Sequence, residues 1–163
     1  MRLRRALALG AAAVAAATGI IAGPAPAQAV TATTLASTIA LSNCSASLVR
    51  YPSSVSNDRA MMLTNGHCHE GGFLSAGQVL QNKSSSRSGT LLNSSGRSLG
   101  TVRADRILYA TMTGTDVTLY RLTKTFAQLR STTGLNALTI ASSHPVDGNA
   151  VSIPHCRISI SRG

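Results

Sequence analysis

The chain has 163 residues, with 15 Lys and Arg against five Asp and Glu, and a formal net charge of +10. A charge of this size favours solubility and attracts the chain to acidic surfaces. The basic residues are scattered singly, and the chain has no Trp, two Phe and three Tyr. Few side chains can therefore stack on bases, which argues against nucleic-acid binding and favours a solvated basic surface.

Residues 1–29 have the pattern of an export signal. Three arginines among the first five residues precede the apolar, Ala-rich run 6–22, and Ala27-Gln28-Ala29 is a small-x-small cleavage site. The alternative is a retained membrane anchor, but the run is short for a membrane span. We therefore predict a helical signal peptide and a secreted, extracellular chain without membrane attachment, where disulfides persist.

Cleavage after residue 29 leaves 134 residues and removes three arginines, so the net charge falls to +7. This length suits one domain of ordinary size. The mature chain shows no long helical pattern, and short β-branched or apolar runs alternate with clusters of Ser, Gly and Asn. Such frequent short strands with polar turns predict an all-β sandwich or barrel.

The predicted strands follow one another at short intervals. They cover residues 35–41, 46–50, 60–64, 73–80, 89–92, 99–103, 107–111, 117–122, 137–141 and 150–153. Between the strands 117–122 and 137–141, residues 123–136 are predicted to form a linker, with one helical turn around Phe126–Leu129.

One strand end carries a histidine in a position suited to chemistry. The apolar run 60–63 predicts a buried strand, and Thr64-Asn65-Gly66 ends it with turn residues. His67 follows at the strand end, where a scaffold can hold an imidazole rigidly and leave it exposed. His69 is interpreted as a loop residue.

The segment 64–68, Thr-Asn-Gly-His-Cys, resembles the Thr-Ala-Ala-His-Cys motif of trypsin-like (chymotrypsin-fold) serine peptidases. Many bacterial members carry Thr-Ala-Gly-His-Cys, from which this chain departs only at Asn65. Downstream, Asp116 lies in Thr-Gly-Thr-Asp-Val-Thr-Leu, which is similar to the family's Asp-Ile-Ala-Leu signature. The histidine precedes the aspartate, as in the chymotrypsin-like order. The alternative for Asp116 is a turn residue that opens a strand.

The resemblance implies a function and roles for these residues. His67 would be general base and acid, and Asp116 would orient its imidazole, in an enzyme that cleaves proteins or peptides through an acyl-enzyme. No cofactor and no metal are implied. A zinc site made of His67, Cys68 and His69 is the alternative, but only Asp116 would be left to complete it.

The resemblance also implies a disulfide between Cys44 and Cys68, because the family's bridge ties an earlier strand to the histidine loop. It would close a loop of about 25 residues. Cys156 is then left over, which suggests a missing partner or a free thiol. His144 and His155 lie in loop-like surroundings and are interpreted as incidental.

The third catalytic group is missing from the pattern. The family's nucleophile lies in Gly-Asp-Ser-Gly-Gly or Gly-x-Ser-Gly, and neither motif occurs after Asp116. The pairs Ser88-Gly89 and Ser95-Gly96 precede Asp116, which is the wrong order for this family. A premature stop or frameshift near residue 154 would account for this and for the unpaired cysteine.

The family's architecture divides the chain into four predicted parts. Residues 1–29 are the signal peptide, 30–122 the first Greek-key β-barrel with the His and Asp motifs, 123–136 the interdomain linker and 137–163 an incomplete start of the second barrel. We therefore expect a monomeric, inactive fragment of a two-barrel, chymotrypsin-like endopeptidase. The alternative is a small secreted β-rich binding or surface protein without catalysis.

Overall fold

A computed structural model describes residues 34–143 of the chain. The predicted signal peptide, the predicted strand at 150–153, His144, His155 and Cys156 lie outside the described residues. The elements, in chain order, are β1 Thr38–Ala40, β2 Ser45–Arg50, β3 Arg59–Thr64, a 3₁₀ turn Gly66–Cys68, β4 Val79–Ser84, β5 Ser88–Leu92, β6 Ser98–Thr111, β7 Val117–Thr125, α1 Phe126–Thr133 and β8 Leu138–Thr139.

Six antiparallel strands form a closed barrel. Their order around it is β1-β5-β6-β7-β3-β2, and pairing between β1 and β2 completes the circle. Strands β1, β2 and β3 are consecutive neighbours, and β5 returns to lie beside β1, which is a Greek-key connection. The prediction of a β-rich barrel is therefore confirmed.

Two further strands lie outside the closed circle. β4 pairs with the second half of β6 and β8 pairs in parallel with the end of β2. Because β4 and β5 occupy the same edge of β6 in succession, this 14-residue strand can serve both of them.

The barrel interior is filled by side chains from alternating positions of neighbouring strands. Leu48 on β2 lies opposite Met62 on β3, and Met62 lies opposite Tyr120 on β7. All three are at most 1% exposed. Since residues that pair across strands point to the same face, these three form one layer of the core. Burying the apolar side chain of Leu48 or Met62 stabilises the fold by roughly 1.5–3 kcal/mol.

The predicted strands 99–103 and 107–111 are in fact one strand, β6. The polar residues between them do not end it, because irregularities at Asp105 and at Leu108, typical of β-bulges, shift the register of β6 against β7 while the pairing continues. Asp105 accepts two hydrogen bonds from the guanidinium of Arg121 on β7, at 2.9 and 3.0 Å. The charge on this partly exposed carboxylate is thus paired within the sheet.

The strand predicted at 73–80 lies further along the chain. Residues 73–78 form a loop, in which the Ser75 backbone N–H donates to Oε1 of Gln78, and β4 starts at Val79. Polar side chains such as Gln81 and Lys83 are tolerated in β4 because nearly all of this strand is exposed.

The predicted linker contains more helix than expected. α1 has eight residues, and it begins with a capping box in which Thr125 and Gln128 each accept a backbone N–H. It ends at Gly134, whose φ of 71° is the left-handed conformation typical of a helix C-cap. Phe126 and Leu129 are buried and join the barrel core. Among residues 34–143, no helix is both long and apolar enough to cross a membrane.

Candidate functional site

His67 lies in the 3₁₀ turn that follows β3, and the turn packs tightly against the end of β6. A Cβ atom on Gly66 would lie 2.2 Å from the Thr111 carbonyl oxygen and 2.9 Å from Oδ1 of Asp116. Only glycine therefore permits this close approach without a shift of the backbone. The sequence Asn65-Gly66 thus brings the histidine backbone next to the residues that lead into β7.

Asp116 is the last residue before β7, and its carboxylate contacts His67 twice. Oδ2 lies 2.7 Å from Nδ1 of the imidazole, and Oδ1 accepts the His67 backbone N–H at 2.9 Å. An ionised carboxylate can only accept, so Nδ1 is the ring nitrogen that donates to it, and in a neutral imidazole with this tautomer Nε2 is an acceptor. The two side chains are 44% and 41% exposed, so the pair lies at the rim of the barrel, within reach of solvent.

The hydrogen bonds around Asp116 favour its charged form. The imidazole N–H of His67 is the strongest influence, followed by the His67 backbone N–H, and the Asn65 amide adds a smaller contribution. Together they hold the pKa of Asp116 below its ordinary value. The site therefore contains a carboxylate that stays ionised beside an oriented histidine, which is the arrangement a general base needs.

The disulfide implied by the resemblance is present. Cys44 and Cys68 are bonded, with their Cα atoms 6.1 Å apart. Cys68 is buried and directly follows His67, and Cys44 lies immediately before β2. The bridge therefore fixes the backbone under the histidine to the neighbouring segment of the barrel.

The zinc alternative is not supported by the positions of its ligands. Cys44, His67 and Cys68 lie within 4.8 Å of one another, but the disulfide leaves neither sulfur as a thiolate ligand. His69 does not belong to this group, and its Nδ1 accepts the Gly71 backbone N–H within its own loop at 3.1 Å. Within the described range, these residues do not converge as a metal site.

Two features next to the histidine were not anticipated from the sequence. Phe73 is 78% exposed, and its ring stacks near the imidazole with the centroids 6.4 Å apart. In addition, Asn65, Asp116 and Val117 line an open concavity of about 310 Å³ at the barrel surface. The Asn65 side chain also donates from Nδ2 to Oδ2 of Asp116, at 3.2 Å. The departure from alanine at this position was the only sequence signal for that contact.

No serine in the described part of the chain hydrogen-bonds to His67 or Asp116. One serine before Asp116 stands in a further motif: residues 96–100, Gly-Arg-Ser-Leu-Gly, have the Gly-x-Ser-x-Gly spacing of a nucleophile elbow. The structure excludes that role, because Ser98 starts β6 after a hairpin turn, not a helix after a strand. It lies at the opposite end of β6 from Thr111, the residue that borders the site.

The protein is mostly β, and six of its strands form a closed barrel. A histidine–aspartate pair lies at the rim of this barrel, next to a disulfide. Comparisons with family models, with curated proteins and with solved structures found no match to this chain.

Proposed function

We propose that this chain is a homologue of secreted, trypsin-like serine endopeptidases and carries the first of their two barrels. The observation on which the proposal depends is the double contact between His67 and Asp116, from Nδ1 to Oδ2 at 2.7 Å and from the backbone N–H to Oδ1 at 2.9 Å. Such an arrangement orients an imidazole and leaves Nε2 free to take a proton from a nucleophile. The disulfide beside the histidine supports the same assignment.

In the reaction, His67 would accept the proton of an attacking serine and return it to the leaving amine. Asp116 would hold the Nδ1–H tautomer and stabilise the imidazolium that forms. The substrate would be a protein or peptide, bound at the rim where His67 and Phe73 are exposed to solvent. The mechanism needs neither a metal nor a cofactor.

The sequence after Asp116 lacks the Gly-x-Ser-Gly pattern of the family's nucleophile. Without a nucleophile and oxyanion donors, a histidine–aspartate pair cannot form an acyl-enzyme. We therefore propose that the 163-residue chain is by itself inactive, and that the second barrel would supply the serine, the oxyanion hole and the specificity pocket. The leader predicted from the sequence at residues 1–29 supports export to the extracellular space, and the mature chain would be a monomer.

The decisive experiment is to sequence the DNA beyond codon 163 and translate it in all three frames. The proposal expects a Gly-x-Ser-Gly motif within roughly a further hundred residues, the length of a second domain of this size. The chain extended into that frame should react with a fluorophosphonate at one serine, and His67→Ala should abolish the labelling. The 163-residue chain should remain unlabelled.

The second candidate is a small secreted binding or surface protein in which the pair has no catalytic role. The missing nucleophile motif is the observation that favours it. Three frames without such a serine motif would support this candidate. Stoichiometric labelling of the 163-residue chain at one serine would contradict this candidate and also the proposed inactivity of the chain.

A further inference from the structure

Asn65 uses its side chain in an unusual way for a residue at the start of a helical turn. It precedes the 3₁₀ turn and has extended backbone angles, yet its side chain makes no capping hydrogen bond. An Asn at such a position ordinarily accepts a backbone N–H of the turn. Here Nδ2 donates to Oδ2 of Asp116 instead, at 3.2 Å.

We propose that Asn65 is a positioning residue, which fixes the Asp116 carboxylate so that the carboxylate can orient His67. The inference rests on the proposed function, because orientation of the imidazole matters for a general base.

The arrangement of donors around Asp116 explains why a third one is useful. Oδ1 has one donor, the His67 backbone N–H, and Oδ2 has the imidazole Nδ1–H. The carboxylate is 41% exposed, so water competes for the remaining acceptor sites. A donor fixed to the barrel resists rotation of the carboxylate, which would otherwise exchange Oδ2 for Oδ1 beside the ring.

Water would reach the Asp116 carboxylate from the open concavity next to the site. Asn65 and Asp116 line it together with Ser45 and Ser47. The Asn65 amide stands at the edge of this space and occupies an acceptor position on Oδ2 that a solvent molecule would otherwise take. The peptidase family that this chain resembles carries alanine at this position, and an alanine side chain has no hydrogen-bond donor.

Two substitutions test the inference. Asn65→Ala removes the donor, and Asn65→Asp keeps the shape of the side chain while replacing the donor by a second carboxylate. Both should raise the pKa of Asp116, and Asn65→Asp should raise it more because like charges are then adjacent. The two carboxyl groups would titrate as a coupled pair, so the midpoint belongs to the pair.

The measurement is NMR on the full chain labelled with ¹³C and ¹⁵N. The Asp116 carboxyl signal reports its titration, and the His67 Nδ1 proton reports exchange with solvent. We expect Asn65→Ala to speed this exchange by roughly three- to tenfold, as loss of one ordinary hydrogen bond would. Ser47→Ala is the matched control, because Ser47 lines the same concavity and its side chain makes no hydrogen bond within residues 34–143.

The outcomes separate this inference from the proposed function. If the unmodified chain shows no protected Nδ1 proton at His67, the histidine–aspartate pair does not form in solution and the proposed function loses its main support. If that proton is present but neither Asn65 variant changes its exchange or the Asp116 titration, the positioning role of Asn65 is overturned. Amide spectra that are unchanged elsewhere in the barrel show that the variants are folded.

Discussion

The Asp116 carboxylate contacts both the backbone and the ring of His67, at 2.9 and 2.7 Å. One rigid planar group therefore sets the position of the histidine main chain and the direction of its imidazole together. Because Gly66 lets the turn lie directly on the end of β6, this geometry depends on the turn after β3, on the end of β6 and on the residue before β7. The pair is thus a property of the closed barrel and not of any single segment.

Replacing Asp116 by Asn tests this double contact. An amide has a single acceptor oxygen, so Asp116→Asn cannot serve both N–H groups of His67 and no longer favours the Nδ1–H tautomer. We expect the ¹⁵N shifts of the imidazole to move from that tautomer toward a mixture, and the protected Nδ1 proton to be lost. Asp105→Asn is the control, since Asp105 pairs with Arg121 at another part of the barrel. Unchanged ring shifts in Asp116→Asn would contradict the pairing.

The fold should become less stable as the pH is lowered. Hydrogen bonds from Arg121 lower the pKa of Asp105, and those from His67 lower the pKa of Asp116. A carboxyl whose pKa is lower in the folded state stabilises that state above its unfolded pKa, near 3.8, and loses the contribution as pH falls through the folded value. We therefore expect the free energy of unfolding to fall below about pH 4.

Urea unfolding at pH 6, 4 and 3 measures this dependence. Asp105→Asn and Asp116→Asn should each flatten the acid side of the profile, and the double variant should flatten it further. The two sites share no hydrogen-bond partner, so their effects should add. A double variant with the same acid loss as the unmodified chain would assign the pH dependence to other carboxyl groups.

Local sequence patterns predicted most of the strands and the position of His67 at a strand end, but not which strands pair with each other. The run ending at Thr64 and the position of His67 followed from an apolar stretch closed by turn residues. The continuity of β6 did not, since Asp105 is stabilised by Arg121 on a neighbouring strand that only the fold brings near. The extent of α1 was underestimated because Thr125 and Gln128 form a capping box within a polar segment.

The details of the site could not be predicted from local sequence patterns. The order of His67 and Asp116 in the sequence matched a family pattern, but their distance depends on pairing of β3 with β7. Asn65 looked like an ordinary turn residue, and its contact with Asp116 arises only when the chain closes on itself. Phe73 belonged to a predicted strand, although it lies in an exposed loop beside the imidazole. Long-range pairing decides each of these features.

A side chain at Gly66 should disturb the site specifically. In Gly66→Ala the Cβ atom would meet the Thr111 carbonyl oxygen, which is backbone and cannot swing aside. We expect a loss of roughly 1–3 kcal/mol in the free energy of unfolding, typical of overpacking. The shift should also displace Oδ1 of Asp116 and weaken its contact with the His67 backbone N–H.

Gly134→Ala is the matched comparison for Gly66→Ala. Gly134 has a φ of 71° and no atom near its missing Cβ, so only backbone strain of roughly 1–2 kcal/mol is expected. Both variants should therefore lose stability by similar amounts in urea. Only Gly66→Ala should alter the amide signal of His67 and the exchange of its Nδ1 proton. An effect of both variants on His67 would mean that general destabilisation, and not close packing, explains the result.

The disulfide should stabilise both the fold and the histidine turn. Cys44 and Cys68 are 24 residues apart, and the chain-entropy model assigns about 3.5 kcal/mol to closing a loop of this size. The experiment uses a Cys156→Ser background, which prevents exchange with the third cysteine. In this background, reduction should lower the free energy of unfolding by about as much as the double substitution Cys44→Ala/Cys68→Ala. The protected Nδ1 proton of His67 should exchange faster in both, since Cys68 anchors the same 3₁₀ turn. If reduction leaves the urea midpoint and this exchange unchanged, the barrel holds the histidine without the bridge.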